Sequence, residues 1–587
     1  MVEVPIQFDA DFLRTLIIES VYTDANQTAR VWSDASGCNS LTLSTPTISV
    51  DHLGVHIVSR GEGRIGRAVG TNCLLPIIWD SLIEIVETPR LSEDSGAIEF
   101  EVSNSNLYKK DQRPGLQTTI WKWVREYAHP RMKRVRIDLK PALYELRSLI
   151  PGFLPAHSGE DIQSIVDSVR LSSVANSENG ISATLAFEVH PGDSDMTPAP
   201  ELPLTEQELL ALRIAWRRWD AFITFVIKHT ALATQDIGHR DELFDILLDA
   251  RYTMLDALTN TEVQGKDPVR ELFLTAWPRL APIMRTVSGQ LIDERGLQFL
   301  SFIAAADALN ALDQIGPTAG WDVSTDALRR MARIMLPTLS EDPLDYGERV
   351  DPELRDAFDF KSEPLPPAPP SPGESRAWPF ISRAFAAGKT NLAAQSWHAA
   401  NWVPKRGELP VYLSRVRTLL HDTVNRTLRE KPLDPKYHKI FRPLVLATAW
   451  QETCWRQFVL HKGKIRPMRS GAGAVGIMQV VPAVWRGFYE PKTLETDIRY
   501  NATAGSEILQ HYLERYAIRK GEHKKTGNMQ NLARATYAAY NGGPRQLSRY
   551  RTKNTPKSLK KIDSAFWDKY KKVRDGDELA VINCYDT

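Results

Sequence analysis

The sequence predicts a multidomain protein with an N-terminal α+β domain, a central α-helical domain and a mainly α-helical C-terminal domain. The chain has 587 residues, which is more than one hydrophobic core usually supports. Apolar residues recur at strand spacing in the first third of the chain and at helical spacing after it. Six prolines within residues 364–372 then mark a boundary before the last domain.

The N-terminal domain is predicted to span residues 1–200. Alternation of apolar and polar residues favours strands at 41–50, 98–102, 135–139 and 181–189. Apolar content or helical spacing favours helices at 74–86, 118–127 and 160–171. None of these segments carries a catalytic motif.

The central domain is predicted to span residues 203–361. Thr205 and Glu208 form a capping box at its start. Apolar spacing predicts helices at 209–232, 240–258, 268–292, 296–315 and 325–339. His229 and His239 are interpreted as surface or core histidines rather than ligands.

A proline-rich linker is predicted at residues 362–376, and the C-terminal domain at 377–587. The segment Pro364–Pro372 (PLPPAPPSP) favours an extended polyproline conformation, about 28 Å long at about 3.1 Å per residue. Such a tether transmits little structural information, so residues 377–587 are expected to remain active without residues 1–370.

The four cysteines fall into two regional pairs, Cys38 with Cys73 and Cys454 with Cys584. This distribution favours two disulfides formed in an oxidising compartment, and four buried thiols are the alternative. The N-terminus lacks a secretion signal. It therefore fits either an intracellular protein or a mature secreted form with an added methionine, and the cysteines favour the second interpretation.

The net charge of +1 conceals a basic C-terminal region. Residues 435–587 contain 28 Lys and Arg against 13 Asp and Glu, a balance of +15, which leaves −14 for the rest. A polyanionic partner would suit this region, nucleic acid included, although a solvated lysine-rich surface is the alternative. No apolar run approaches the roughly 18 residues of a membrane-spanning helix.

The first candidate catalytic segment contains Glu452. A helix is predicted over residues 444–460, with Pro443 in its first turn. Val445, Ala449 and Glu452 are spaced four and three apart and share one largely apolar face. A carboxyl group there should have a raised pKa, which suits a general acid. The alternative is a glutamate that reaches solvent or an arginine.

Two further segments add polar groups to a candidate cleft. Residues 470–479 (SGAGAVGIMQ) contain three glycines, which let the backbone approach a ligand, and end in Gln479, whose amide suits sugar hydroxyls. Residues 532–540 are predicted as a helix that stops at Asn541-Gly-Gly-Pro. Taken singly, the first segment also fits a loop that connects helices, and the second also fits an ordinary helix cap.

In this order the three segments resemble the soluble lytic transglycosylase family, whose motifs are Glu-Ser, Gly-Leu-Met-Gln and Ala-Tyr-Asn-Ala-Gly. Here they read Glu452-Thr453, Gly476-Ile-Met-Gln479 and Ala539-Tyr540-Asn541-Gly542-Gly543. The resemblance covers roughly residues 435–555. This sequence departs from the family pattern at Thr453, at Gly542-Gly543, and in several extra residues between the first two motifs.

The resemblance implies a lysozyme-like fold and cleavage of the β-1,4 bond between N-acetylmuramic acid and N-acetylglucosamine in peptidoglycan, which leaves 1,6-anhydro ends. Glu452 would perform both proton transfers, and Tyr540 would orient it. The residues expected to bind substrate are Ser470, Met478, Gln479, Tyr540 and Asn541. Neither a metal nor another cofactor is expected, and nucleic acid is not the expected partner.

Two other functions remain open at this stage. A lysozyme-like muramidase would need a second carboxylate to activate water, and Asp497 or Glu495 would be the candidate, although Asp497 also suits a helix cap. A non-catalytic glycan-binding module is the other alternative. The products separate the three functions, because a lytic transglycosylase leaves anhydro ends, a muramidase leaves reducing ends, and a binding module releases none.

The N-terminal domain carries only a faint resemblance, to tubular lipid-binding domains of the bactericidal/permeability-increasing type. A scaffolding or wall-docking domain that contacts other envelope proteins is the competing interpretation. The segments that carry the resemblance are Ile137-Asp-Leu-Lys-Pro, Asp167-Ser-Val-Arg-Leu and Gly180-Ile-Ser-Ala-Thr-Leu. The expected location of the protein is the periplasm or cell envelope.

Overall fold

The computed structural model divides into two compact units. The first unit comprises residues 1–201, 206–234 and 269–345, and the second comprises 202–205, 235–268 and 346–587. The structure describes residues 2–69, 72–108, 114–149, 159–177, 180–188, 206–259, 268–290, 299, 302–303, 306–307, 335, 342, 344–360 and 402–585. The predicted linker lies outside these residues, as do most of the helices predicted at 296–315 and 325–339.

The N-terminal part of the first unit is rich in β-strands. A six-stranded antiparallel sheet has the order β2-β3-β4-β5-β6-β7, and a smaller antiparallel sheet has the order β1-β9-β8. The strands are β1 (Val2–Asp9), β2 (Thr28–Ser33), β3 (Ser40–Asp51), β4 (Gly54–Val69), β5 (Asn72–Leu91), β6 (Ala97–Tyr108), β7 (Arg136–Asp138), β8 (Arg170–Ser177) and β9 (Gly180–Phe187).

Strand β5 corrects the helix predicted at 74–86. Its register with β4 pairs Glu87 with Val55 and Asn72 with Val69, so it runs antiparallel along nearly the whole neighbouring strand. Trp79, Ser81, Ile83 and Ile85 are buried along one face, whereas Ile78 and Leu82 on the other face are exposed. Apolar residues on both faces hid the period-two alternation in the sequence.

Helices accompany these sheets. Asp9 caps the first one by accepting a hydrogen bond from the backbone N–H of Phe12 at 2.8 Å. The helices of the first unit are α1 (Ala10–Val21), α2 (Pro114–Trp123), which continues as a π-helical turn (Val124–Ala128), α3 (His129–Met132), α4 (Lys140–Leu149), α5 (Gly159–Ser168), α6 (Glu206–Ala233) and α8 (Pro268–Gln290). The Cys38–Cys73 disulfide lies in this unit.

The second unit is mainly helical, as predicted for the C-terminal region. Its helices are α7 (Ile237–Thr259), α9 (Pro352–Ala357), α10 (Leu409–Glu430), α11 (His438–Thr453), α12 (Pro491–Thr496), α13 (Ile498–His511), which continues as π-helical Tyr512–Ile518, α14 (Glu522–Thr526), α15 (Asn531–Gly542) and α16 (Lys557–Arg574). One hairpin, β10 (Phe458–His461) and β11 (Lys464–Pro467), interrupts them. The second cysteine pair is also bonded, between Cys454 and Cys584.

Helix α7 and the segment 346–360 pack into the core of the second unit although they precede the predicted linker. Phe244 of α7 lies 5.0 Å from Phe358 and 5.8 Å from Phe488, measured between ring centroids. Buried Arg251 donates hydrogen bonds to the carbonyls of Val484 and Arg486, at 2.9 and 3.0 Å. The second unit therefore reaches beyond residues 377–587, and the central domain at 203–361 stays a prediction.

Candidate active site

Glu452 lies in the last turn of α11. The helix ends at Thr453 because Cys454 and Trp455 adopt left-handed conformations, with φ of 55° and 63°. The Trp455 indole N–H then donates back to the carbonyl of Leu446 at 3.0 Å. The helix predicted over 444–460 was therefore too long, since β10 already begins at Phe458. A left-handed turn at a cysteine and a tryptophan carries no clear sequence signal, unlike one at glycine.

The Glu452 carboxylate has one orienting partner among the described residues. The hydroxyl of Tyr537 on α15 donates a hydrogen bond to its Oε1 at 2.9 Å. Burial raises the pKa of Glu452 to about 7, against the opposing effects of this hydrogen bond and of the charges on Lys569 and Arg549. The residue remains partly exposed. A carboxyl group in this state can both give and accept a proton near neutral pH.

Tyr537, and not Tyr540, donates the hydrogen bond that orients the Glu452 carboxylate. The ring of Tyr537 stacks on Phe566 with centroids 3.9 Å apart, which fixes the direction of its hydroxyl. Tyr540 lies one turn further along α15, and its hydroxyl donates to the carbonyl of Met478 at 2.6 Å. The prediction that Tyr540 orients Glu452 is therefore wrong, because that hydroxyl is committed to the loop of the second motif.

Two buried amide side chains, those of Asn501 and Gln457, hydrogen-bond the backbone of the second-motif loop. Asn501 of α13 accepts a hydrogen bond from the Met478 N–H at 2.9 Å and donates to the Val475 carbonyl at 2.9 Å. Gln457 accepts from the Ile477 N–H at 2.8 Å. Gly476 has φ of +74°, and a Cβ there would collide with the amide of Asn501. This glycine is thus required both by its conformation and by the close approach of Asn501.

Thr453 connects the first motif to the second. Its hydroxyl donates to the Ile477 carbonyl at 2.8 Å, and its side chain is buried. Threonine in place of the family's serine keeps this donor. Met478 is fully buried, and a Cβ at Gly505 would lie 2.5 Å from its Cβ. The Met478 side chain therefore supports the loop on α13, which corrects its assignment as a substrate-binding side chain.

The remaining predicted substrate residues lie nearer the surface. Ser470 is exposed, and its Oγ accepts from the Ala474 N–H at 3.0 Å. Gln479 is partly exposed with φ of 50°, and its amide N–H donates to the Gly476 carbonyl at 2.8 Å. Exposed Asn541 accepts from Arg549 at 3.2 Å. These side chains are accessible to a ligand, and their substrate contacts stay predictions.

The two candidate second carboxylates have structural partners. Asp497 caps α13 by accepting from the N–H groups of Arg499 and Tyr500, at 2.8 and 3.2 Å. Glu495 forms an ion pair with Arg469 at 2.6 Å. Both carboxylates are therefore engaged in holding local structure.

The C-terminal segment fastens the end of α11 next to Glu452. Cys584 is bonded to Cys454, and the Trp450 indole N–H donates to the Cys584 sulfur at 3.2 Å. The Tyr585 hydroxyl donates to the Cys454 carbonyl at 2.8 Å. Residues 584 and 585 therefore fasten the turn that follows Glu452.

Within the described part of the chain, no group of three or more His, Cys, Asp or Glu could hold a metal ion. Among the same residues, no helix is long and apolar enough to cross a membrane.

Three residues of the site were not predicted from the sequence: Tyr537, Gln457 and Asn501. Each of the three acts through a contact with a residue at least 20 positions away, so no local pattern marks it.

Comparison with known proteins identifies one family. Residues 436–562 match the family model described as Transglycosylase SLT domain. This region contains all three motifs. It also contains Gln457 and Asn501, whose side chains support the loop of the second motif. No curated protein and no solved structure matches the chain significantly.

Proposed function

We propose that the second unit is a peptidoglycan lytic transglycosylase, which cleaves the MurNAc-β-1,4-GlcNAc bond and leaves 1,6-anhydro-MurNAc ends. The SLT domain at residues 436–562 indicates glycan cleavage of the lytic transglycosylase or lysozyme type. The observation that carries the proposal is the state of Glu452, which combines partial exposure, a pKa of about 7 and a hydrogen bond from Tyr537.

A single carboxyl group with this pKa can serve both steps of the reaction. Glu452 donates its proton to the glycosidic oxygen as the C1–O bond breaks. The resulting carboxylate then takes the proton of the muramic C6 hydroxyl, whose oxygen forms the new bond to C1. The nucleophile belongs to the substrate itself, so its effective concentration is high and water is not consumed. Tyr537 stabilises the carboxylate form between the two steps.

The partners of the other candidate carboxylates favour this chemistry over hydrolysis. A muramidase of the inverting type needs a second carboxylate roughly 6.5–9.5 Å from the first to activate water. Asp497 is occupied by the N-terminus of α13, and Glu495 by Arg469. A module that only binds glycan has no need for an accessible acid whose pKa lies near neutrality.

Product analysis tests the proposal. Purified peptidoglycan is digested with the full chain and, as a control, with the Glu452→Gln variant, and the sugar ends are identified by mass spectrometry. Anhydro ends that appear only with the wild-type protein support a lytic transglycosylase. Reducing ends would instead establish a muramidase, and the absence of released fragments would establish a binding module.

The site of action would be the cell envelope, in the periplasm, where both the substrate and oxidising conditions are found. The β-rich first unit would then serve contacts with other envelope components. A sedimentation assay of the full chain with purified sacculi and with lipid vesicles separates wall docking from lipid binding by this unit.

A further inference from the structure

The hairpin β10–β11 occupies the extra residues between Glu452 and the second motif. Phe458 pairs with Pro467 at its base, and His461 with Lys464 at its tip. Lys462 and Gly463 form the turn, with φ of 49° and 72°. Positive φ at both central residues is typical of the tightest hairpin turns, whose twist matches that of the strands.

The two faces of the hairpin differ in character. Directly opposed residues of an antiparallel pair project to the same side. Leu460 and Ile465 are opposed on one face, with 64% and 44% of their surfaces exposed. The other face presents the opposed pair His461 and Lys464, followed by Arg466. Exposed apolar and cationic side chains therefore lie within one short element.

The sequence on both sides of the hairpin carries only positive charges. From Thr453 to Tyr489 the chain contains no Asp or Glu. Lys462, Lys464 and Arg466 are all exposed. An element of this kind favours an anionic partner that also offers small apolar groups.

The base of the hairpin is built into the candidate active site. The Met468 N–H, just after β11, donates to the Gln457 carbonyl at 2.7 Å, and the Gly476 N–H donates to the Met468 carbonyl at 2.9 Å. Gln457 also holds Ile477 through its side chain. The same residues thus support the hairpin and the loop of the second motif, so the hairpin adjoins the loop that is predicted to hold the substrate.

We infer that the hairpin at residues 458–467 binds the peptide stems of the glycan substrate. This inference rests on the proposed function. Peptide stems carry free carboxylates for Lys464 and Arg466 and small aliphatic side chains for Leu460 and Ile465. An anionic membrane is the less favoured partner, because two exposed apolar side chains bury little area in a bilayer.

Kinetics on paired substrates tests the inference. Soluble glycan strands that carry peptide stems are compared with the same strands after an amidase has removed the peptides. The double variant K464Q/R466Q of the full chain should raise KM for the peptide-bearing strands about three- to tenfold, since exposed ion pairs are weak individually. Its kcat should stay unchanged, as should both constants on the denuded strands. The difference should shrink as salt rises.

A matched control removes two charges elsewhere in the second unit. Lys557 and Lys561 are exposed on α16, and K557Q/K561Q should leave KM unchanged for both substrates. Equal effects of K464Q/R466Q on the two substrates, or no effect on either, would overturn the inference. So would an effect of K557Q/K561Q as large as that of the hairpin variant.

Binding without turnover separates this inference from the proposed function. The hairpin substitutions are combined with Glu452→Gln, and binding to intact and denuded strands is measured directly. A loss confined to intact strands supports the inference even if the wild-type protein cleaves neither substrate, in which case only the proposed function fails. Loss of binding to vesicles containing phosphatidylglycerol, with strand binding intact, would identify a lipid site instead and refute the inference.

Discussion

Each unit of the protein contains a carboxyl group with a raised pKa, but the two groups differ in exposure and in hydrogen-bond partners. Glu87 on β5 of the first unit is fully buried, burial raises its pKa to about 8, and neither of its oxygens has a hydrogen-bond partner among the described residues. Glu452 of the second unit has a pKa raised to about 7, but it is partly exposed and held by Tyr537. A raised pKa alone therefore does not identify a candidate acid, and access together with an orienting donor is what distinguishes Glu452 from Glu87.

Glu507 on α13 shows a third arrangement, in which the partners of a buried carboxylate lock it in place. It accepts hydrogen bonds from Arg355 at 3.2 Å and from Tyr489 at 2.7 Å. Burial raises the pKa of Glu507, and the charge of Arg355 opposes that effect. With its side chain only 7% exposed, this carboxylate is a structural group rather than a candidate acid.

The largest expected effect comes from Glu452→Gln. Loss of the proton donor should reduce the release of sugar ends by at least the 10²–10⁴-fold typical of general acid–base catalysis, because both steps depend on one residue. Glu87→Gln is the matched control and should leave the rate per folded molecule unchanged. Release of sugar ends by Glu452→Gln at the wild-type rate would remove Glu452 from the mechanism.

The next largest effect is expected on the free energy of unfolding of the second unit, to which Glu452 belongs. Phe244→Ala should lower the free energy of unfolding of this unit by about 3–5 kcal/mol, since Phe244 is fully buried among aromatic rings. Val411→Ala, at a position 52% exposed, is the control and should have little effect. Urea unfolding followed by tryptophan fluorescence measures both variants.

The same packing reverses the expectation that residues 377–587 are active alone. A fragment that starts at 377 lacks Phe244, Phe358 and Arg251, so we expect it to be unstable and inactive. A fully active 377–587 fragment would show that α7 and the segment 346–360 are dispensable. The C-terminal domain would then be independent of the residues that precede the linker, as predicted from the sequence.

Glu87 should make the free energy of unfolding fall as the pH rises, whereas an ion-paired carboxylate makes it increase. Its folded pKa of about 8 lies above the ordinary value of 4.5, so its contribution is complete below pH 4.5 and is lost as the pH rises towards 8. The loss amounts to roughly 4 kcal/mol. Glu87→Met should flatten this dependence when thermal unfolding is compared between pH 5 and pH 8.5. Parallel curves for the variant and the wild type would mean that Glu87 is ionised or solvated.

The smallest effect is expected for Tyr537→Phe. The lost hydrogen bond favoured the charged carboxylate, so the pKa of Glu452 should rise above about 7. The alkaline limb of the pH–rate profile should move to higher pH, with a rate loss of about tenfold. Tyr540→Phe loses only the bond to Met478 and should leave that limb in place. A shift of equal size in both variants would indicate a general loosening of the site.

The sequence predicts the candidate acid better than it predicts the residues that hold that acid in place. Glu452 and the two loops were predictable because local motifs carry them, and the helices α6 to α8 because their apolar spacing is long and regular. Tyr537 was not predictable, since its role depends on a contact with a residue 85 positions away. The assignment of β5 failed for the same reason, because pairing with β4 and β6, and not local propensity, decides its conformation.

The bond between Cys454 and Cys584 also has a consequence for the order of events during biosynthesis. It closes a loop of 130 residues, so it cannot form until Cys584 has been synthesised. The second and third motifs lie inside that loop, and Glu452 precedes it by two residues. The turn that follows Glu452 is therefore fastened only after all three motifs have been synthesised, and only where thiols are oxidised. The candidate site therefore reaches its covalently fastened form only under oxidising conditions.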